Sequence, residues 1–115
     1  MDKINQIVVS TGAKQSIANV ALSLINPGDE VIIPAPYWVS YEEIFKMAGA
    51  VIVPIETTIE NDFKITAEQL TNAINEKTKL MIYSSPCNPS GSVYSKEELR
   101  SLADVLVQYS SVVVV

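Results

Sequence analysis

The side chains best placed to do chemistry in this chain lie in three short loops, one of them built around a single amide. In Ser84-Ser85-Pro86-Cys87-Asn88-Pro89-Ser90-Gly91, two prolines fix the backbone on either side of Asn88, and Gly91 permits a positive φ. Asn88 offers both a carbonyl acceptor and an amide donor, so a rigid loop would aim one bifunctional group. A second loop, Thr11-Gly12-Ala13-Lys14, opens a helix directly after an apolar run. Free backbone N–H groups and the helix dipole at such a place suit a phosphate, and Gly12 lets the backbone approach closely. The third loop, Pro36-Tyr37-Trp38, carries the only tryptophan, whose face could stack on a flat heterocycle.

Each loop also has an ordinary reading. An asparagine before proline commonly bonds its own backbone in a turn. Gly12 could serve only the φ of a strand–helix turn, and Trp38 could simply pack a helix onto a sheet. The Gly12 turn is not a Walker A loop, because Ile7 stands at the first glycine position and no Gly-Lys pair occurs, nor is it G-x-G-x-x-G. Cys87 has no basic neighbour in sequence to activate a thiolate. Lys46, Lys64, Lys77, Lys79 and Lys96 read as solvated charges at helix starts, polar faces or loops, with Lys14 the one exception.

The elements that must hold these loops alternate between strand and helix. Gln6-Ile7-Val8-Val9-Ser10 reads as a first strand, and a helix from about Lys14 to Ile25, apolar over most of its circumference, should be largely buried. Asn26-Pro27-Gly28-Asp29 stops it. Val31-Ile32-Ile33 is a second strand, Val39 to Met47 a second helix, and Val51 to Ile55 a third strand in which Pro54 suits an end or an edge. Thr66-Ala67-Glu68-Gln69 and Ser95-Lys96-Glu97-Glu98 have capping-box form and start two more helices; the second carries an i, i+3, i+4, i+7 stripe of Leu99, Leu102, Ala103 and Leu106. Between them runs a fourth strand, Leu80 to Tyr83, and a fifth ends the chain at Val112 to Val115. This alternation means an α/β fold with a mainly parallel sheet and flanking helices. In such sheets ligands bind beyond the carboxyl ends of the strands, the edge where all three loops fall.

Composition narrows the function. The chain has 115 residues, 48% apolar and 18% charged, which suits one soluble globular unit. A net charge of −5 argues against a nucleic-acid partner, and no run reaches the ~18 apolar residues of a membrane span. With no histidine, histidine triads and histidine metal ligation are excluded, and no metal site is expected. A single cysteine excludes an internal disulfide and fits the cytoplasm. A strand that stops at the last residue reads as a piece cut from something longer.

The ordered set Ser10-Thr11-Gly12-Ala13-Lys14-Gln15-Ser16, Asn26-Pro27-Gly28-Asp29-Glu30-Val31, Pro36-Tyr37-Trp38-Val39-Ser40-Tyr41 and Ser85-Pro86-Cys87-Asn88-Pro89-Ser90-Gly91 resembles the class I aminotransferases, fold type I pyridoxal-phosphate enzymes, and among them the bacterial aspartate aminotransferases. The resemblance covers essentially the whole chain. It implies that residues 1–115 are an incomplete large domain, truncated at its C-terminal end, of an enzyme that moves an amino group between an aspartate-like amino acid and a 2-oxo acid, the parent being a homodimer. Gly12, Ala13 and Lys14 then match the segment holding the cofactor phosphate. Trp38 matches the residue stacked on the pyridine ring and lining the substrate side. Asn88 matches the asparagine on the cofactor's 3′ oxygen and the substrate carboxylate, and the proline after it is expected cis. Cys87 and Ser90 depart from a common asparagine and threonine. The Schiff-base lysine, the aspartate on the pyridine nitrogen and the substrate arginine have no counterpart, so no catalytic residue is expected here and the chain alone should be inactive. The first strand should lack a partner, exposing apolar surface and favouring self-association, and the other strands should run fourth, fifth, second, third. Alternatives are another fold type I enzyme performing elimination, or a non-catalytic α/β module that binds a phosphorylated ligand or only itself.

Overall fold

A computed structural model describes residues 4–115. The regular elements are α1 (Gly12–Leu24), β1 (Glu30–Pro34), α2 (Ser40–Met47), β2 (Val51–Ile55), α3 (Ala67–Ala73), β3 (Thr78–Met81), α4 (Lys96–Leu106) and β4 (Val113–Val114), with 3-10 turns at Ile4–Gln6 and Ile59–Asn61. All three strand pairings are parallel, in the order β2-β1-β3-β4. The α/β expectation holds.

Strand alternation divides the core between two faces. Val31 and Ile33 of β1 join Leu80 and Ile82 on the face covered by α1 and α2, where Ala21, Ile44 and Phe45 meet them. Ile32 and Met81 point the other way, to Leu70 and Ile74 from α3 and its end and Leu102 of α4. The register Val31↔Leu80 and Ile32↔Met81 keeps each pair on one face. Both sequence-read capping boxes form: Thr66 accepts from Gln69 N–H, Ser95 accepts from Glu98 N–H, and the Gln69 and Glu98 side chains bond back. Each such cap is worth about 1 kcal/mol.

Three expectations are corrected. No strand forms over Gln6–Ser10. Ile7, Val8 and Val9 are 61%, 83% and 92% exposed, because no neighbouring strand among the described residues offers them a ladder. The unpaired apolar surface foreseen for this run is therefore present, without the strand. Helix α1 is less buried than its composition implied. Only Ala21 is fully covered and Leu22 is 62% exposed, since α1 packs along one stripe. Its other side and Val8 border an open groove of about 450 Å³.

The third correction is the strand order: β3 lies beside β1, and β4 takes the outer edge. Leu80, Met81 and Ile82 are apolar on both faces and at most 2% exposed, as a central strand requires. Glu30 N–H donates to Lys77 C=O (2.8 Å) and Asn75 Nδ2 to Glu30 Oε2 (2.6 Å), pinning the start of β3 to the start of β1. β4 extends through reciprocal bonds, Tyr83 N–H to Val115 C=O (3.2 Å) and Val115 N–H to Met81 C=O (3.0 Å). Pro54, lacking an N–H, sits as expected on the edge strand β2.

From β1 the chain steps outward to β2 through α2; it then returns past β1 to β3 through α3 and continues to β4 through α4. Right-handed crossovers in opposite directions place their helices on opposite faces. The loops leaving β1 and β3 therefore diverge, and a crevice opens between them at the carboxyl edge.

Gly49 closes the α2–β2 turn at φ +91°, with its missing Cβ only 3.1 Å from Pro27 Cα. Gly91, at φ +76°, has open space around it. In urea denaturation Gly91→Ala should lose about 1–2 kcal/mol from the left-handed backbone alone. Gly49→Ala should lose ~1 kcal/mol or more beyond that, because backbone must shift to admit the methyl. Equal losses would show that Pro27 yields freely.

Candidate functional site

Two contacts gather the three loops at the carboxyl edge. Lys14 Nζ lies 4.8 Å from the centre of the Trp38 ring, joining the start of α1 to the loop after β1. Cys87 Sγ donates to Pro36 C=O at 3.4 Å, joining the Asn88 loop to the same place. Beneath, Pro36, Tyr37, Phe63, Tyr83 and Tyr94 wall a crevice with only about 10 Å³ of water-sized space. It is a packed aromatic floor, and a flat ligand would have to lie above it, on the rim.

The rim offers the donors read from sequence. At the start of α1, Gly12 has φ +81° and nothing within 4 Å of a would-be Cβ, while Thr11 gives no side-chain cap. The Gly12 N–H donates to Ser10 C=O (2.9 Å), and the N–H groups that follow it, at Ala13 and Lys14, lack intrahelical acceptors, so an anion can approach them. Lys14 covers one face of Trp38; at an exposed site this is worth about 0.5–1 kcal/mol, which a stacking ligand can displace. Tyr41 meets Trp38 edge-on at 5.6 Å. Asn88 is exposed, its N–H bonded to Ser84 Oγ (3.3 Å), and its side-chain amide has no hydrogen-bond partner among the described residues. The Ser85–Pro86 and Asn88–Pro89 peptides are cis, as is Ala35–Pro36. Cys87 is half-buried and free. Among the described residues no cluster of His, Cys, Asp and Glu could hold a metal ion.

Two positioning groups escaped the sequence reading. Tyr37 Oη donates to Glu42 Oε2 (2.7 Å) across the start of α2, and Glu42 also pairs with Lys46. That bond ties down the backbone just before Trp38. The hydrogen bond to Glu42, with burial behind it, pushes the Tyr37 phenol up to about 12. The bonds from Lys46 and Tyr37 hold the Glu42 carboxyl below its usual range. Lys64, read as a solvated charge, is only 14% exposed and pairs with Glu98 and Asp62. Its flanks, Phe63 and Ile65, were the available signal: a lysine between two large apolar residues need not face water.

Comparison with known proteins then bears on the site. The model of the family described as aminotransferase class I and II matches residues 1–115. The chain is 51% identical over 112 residues to an aspartate aminotransferase of Bacillus sp. (strain YM-2), covering 97% of this chain and 29% of that protein. It is 52% identical over 109 residues to an aspartate/prephenate aminotransferase of Nitrosomonas europaea, covering 95% and 28%. The aspartate aminotransferase structure from Rhizobium meliloti superposes with a TM-score of 0.95 at 40% identity, over 97% of this chain and 28% of that one. The chain thus spans under a third of the length of these relatives.

A raised phenol pKa sets the sign of one test. The Tyr37–Glu42 bond contributes fully below the unfolded value near 10 and is lost as pH rises through about 12. In ultraviolet titration, the phenolate step near pH 12 should vanish in Tyr37→Phe and move to lower pH in Glu42→Gln. An unmoved step in Glu42→Gln would remove the carboxylate as its cause.

Proposed function

The chain belongs to the class I and II aminotransferase family, and from that membership we propose that residues 1–115 are part of the large, cofactor-binding domain of a pyridoxal-5′-phosphate enzyme. The whole protein would move an amino group between an aspartate-like amino acid and a 2-oxo acid. The observation that supports this reading is the pair of contacts that join the three loops, Lys14 over Trp38 and Cys87 Sγ on Pro36 C=O, beside the crevice between β1 and β3. The aspartate preference rests on the names of the relatives at 51% and 52% identity.

The residues present fit the group. An uncapped helix start with open space at Gly12 suits a phosphate dianion, an indole face suits a pyridine ring, and an unpartnered amide suits a ring oxygen. When bound, the cofactor supplies an electron sink for charge developing at the amino acid Cα. The chain's own residues do the rest. The Gly12-Ala13-Lys14 segment would hold the phosphate, through the Ala13 and Lys14 N–H groups with Gly12 giving close approach, and the helix dipole would favour its charge. Trp38 would set the ring plane by stacking and close the substrate side. The Asn88 amide would donate to the anionic ring oxygen, stabilising its deprotonated form, and would orient the substrate carboxylate. A homodimeric assembly and a cytoplasmic setting, in keeping with the free Cys87, belong to the same proposal.

Because Trp38 is the only tryptophan, its fluorescence reports occupancy. Titrating the chain with pyridoxal 5′-phosphate should give a saturable quench. Loss of one hydrogen bond to a charged oxygen in Asn88→Ala should weaken binding about tenfold. Pyridoxal without phosphate should bind much more weakly than its phosphate. A linear, unsaturable quench, the same in Asn88→Ala, would reject the reading.

A further inference from the structure

Asn88 sits on a loop that its own strand does not hold. Within the loop, Cys87 N–H donates to Ser92 C=O (2.9 Å) and Gly91 N–H to Cys87 C=O (2.7 Å), which closes the turn without fixing where it points. Cys87 Sγ on Pro36 C=O (3.4 Å) holds one side of the loop and Tyr94 N–H on Ser85 Oγ (3.0 Å) its base, and a further set of contacts reaches it from the segment before α3. Lys64 Nζ donates to Glu98 Oε1 and Oε2 (2.8 and 3.0 Å), lies 3.5 Å from Asp62 Oδ2 and reaches Val93 C=O at 3.4 Å. Ser92 Oγ donates to Asp62 Oδ1 (3.4 Å), and Ile65 N–H donates to Tyr94 Oη (3.0 Å). The three donors of one ammonium thus face four oxygens on three residues, one on the 62–64 turn, one on the chain following the Asn88 loop and one on α4.

The turn that presents this ammonium is itself unusual. Asp62 and Phe63 have φ +52° and +51°, the left-handed region that a bulky side chain such as Phe seldom occupies. Such backbone persists only where its surroundings over-determine it. Here Phe63 enters the aromatic floor beside Tyr83 and Tyr94 while Lys64 grips the far side. An ordinary surface pair would carry little, but this cation is 14% exposed and bonds a backbone carbonyl as well as two carboxylates.

We infer that Lys64 is a positioning residue for the Asn88 loop: its ammonium, bonded at once to Asp62, Val93 and Glu98, holds that loop where the Asn88 amide meets the cofactor ring. This rests on the cofactor reading for its purpose and on geometry alone for its mechanism, so the two are tested separately. The first arm uses no ligand. In the full chain, amide hydrogen exchange at Cys87 and Gly91 should quicken about tenfold in Lys64→Met, while Ile25 and Ile82, bonded in α1 and the sheet, keep their rates. Lys64→Arg, which keeps the charge, should retain the slow exchange. Glu98→Gln, which keeps an acceptor for the α4 cap, should loosen the same loop without faster exchange in α4. Unchanged loop rates, uniform acceleration of the chain, or an arginine variant as loose as Lys64→Met would each overturn the inference. The second arm adds ligand: Lys64→Met should weaken pyridoxal 5′-phosphate about tenfold and leave inorganic phosphate binding unchanged, because the α1 amides are held independently. Equal weakening of both ligands would place Lys64's effect outside the Asn88 loop and overturn the inference. If the wild-type chain binds no pyridoxal 5′-phosphate, the proposed function falls, and the exchange arm still decides the role of Lys64.

Discussion

Everything at the carboxyl edge depends on the pairing of β1 with β3. The two strands meet only after the chain has gone out to β2 and come back, so the loops that leave them are sent to opposite faces. That divergence opens the crevice, and the register of the pair puts Trp38's loop and Asn88's loop at its two lips. Val31, Ile32, Ile33, Leu80, Met81 and Ile82 are each at most 2% exposed. At about 1.5–3 kcal/mol for full burial of such a side chain, these positions form the part of the molecule most costly to open.

The site is stiffened differently from the core. Apolar burial holds the strands, but the lips are exposed and are held by single polar tethers: Tyr37 to Glu42 before Trp38, Cys87 to Pro36 between the loops, Tyr94 to Ile65 and Lys64 to Glu98 behind Asn88. The division has a physical logic. A polar ligand needs amides and an indole face left open to it, which hydrophobic packing at the lips would cover. Tethers set at the base of each loop restrict its direction while the Asn88 side-chain amide keeps no hydrogen-bond partner among the described residues, only its backbone N–H being bonded, to Ser84 Oγ. Lys14 resting on Trp38 is an interaction weak enough to give way.

Much of this was legible in the residues. The capping boxes at Thr66 and Ser95 were read from four-residue patterns, because a cap is satisfied within one turn. The runs at Val31–Ile33, Val51–Ile55 and Leu80–Tyr83 announced strands through β-branched and apolar density. The candidate residues Gly12, Trp38 and Asn88 stood out as a cleared turn, a lone indole and an amide between prolines. Helix α1 misled for the opposite reason: its apolar circumference says only that burial would be favourable, and which stripe is covered depends on α2. Ile7-Val8-Val9 misled similarly, since β propensity expresses fit to neighbours, and no neighbouring strand is present among the described residues.

The residues by themselves determined the alternation of strand and helix, the helix starts and the chemistry carried by each loop, because those follow from interactions a few positions apart. Tertiary structure alone decided that β3 lies beside β1 and β4 at the edge, since several orders satisfy the same apolar runs and long-range contacts such as Glu30 with Asn75 choose among them. It also decided the part played by Lys64. A lysine's sequence neighbours can hint that it leaves water, but its acceptors here, Val93 and Glu98, are 29 and 34 positions away. Only folding brings a carbonyl and a carboxylate that distant to within reach of one ammonium.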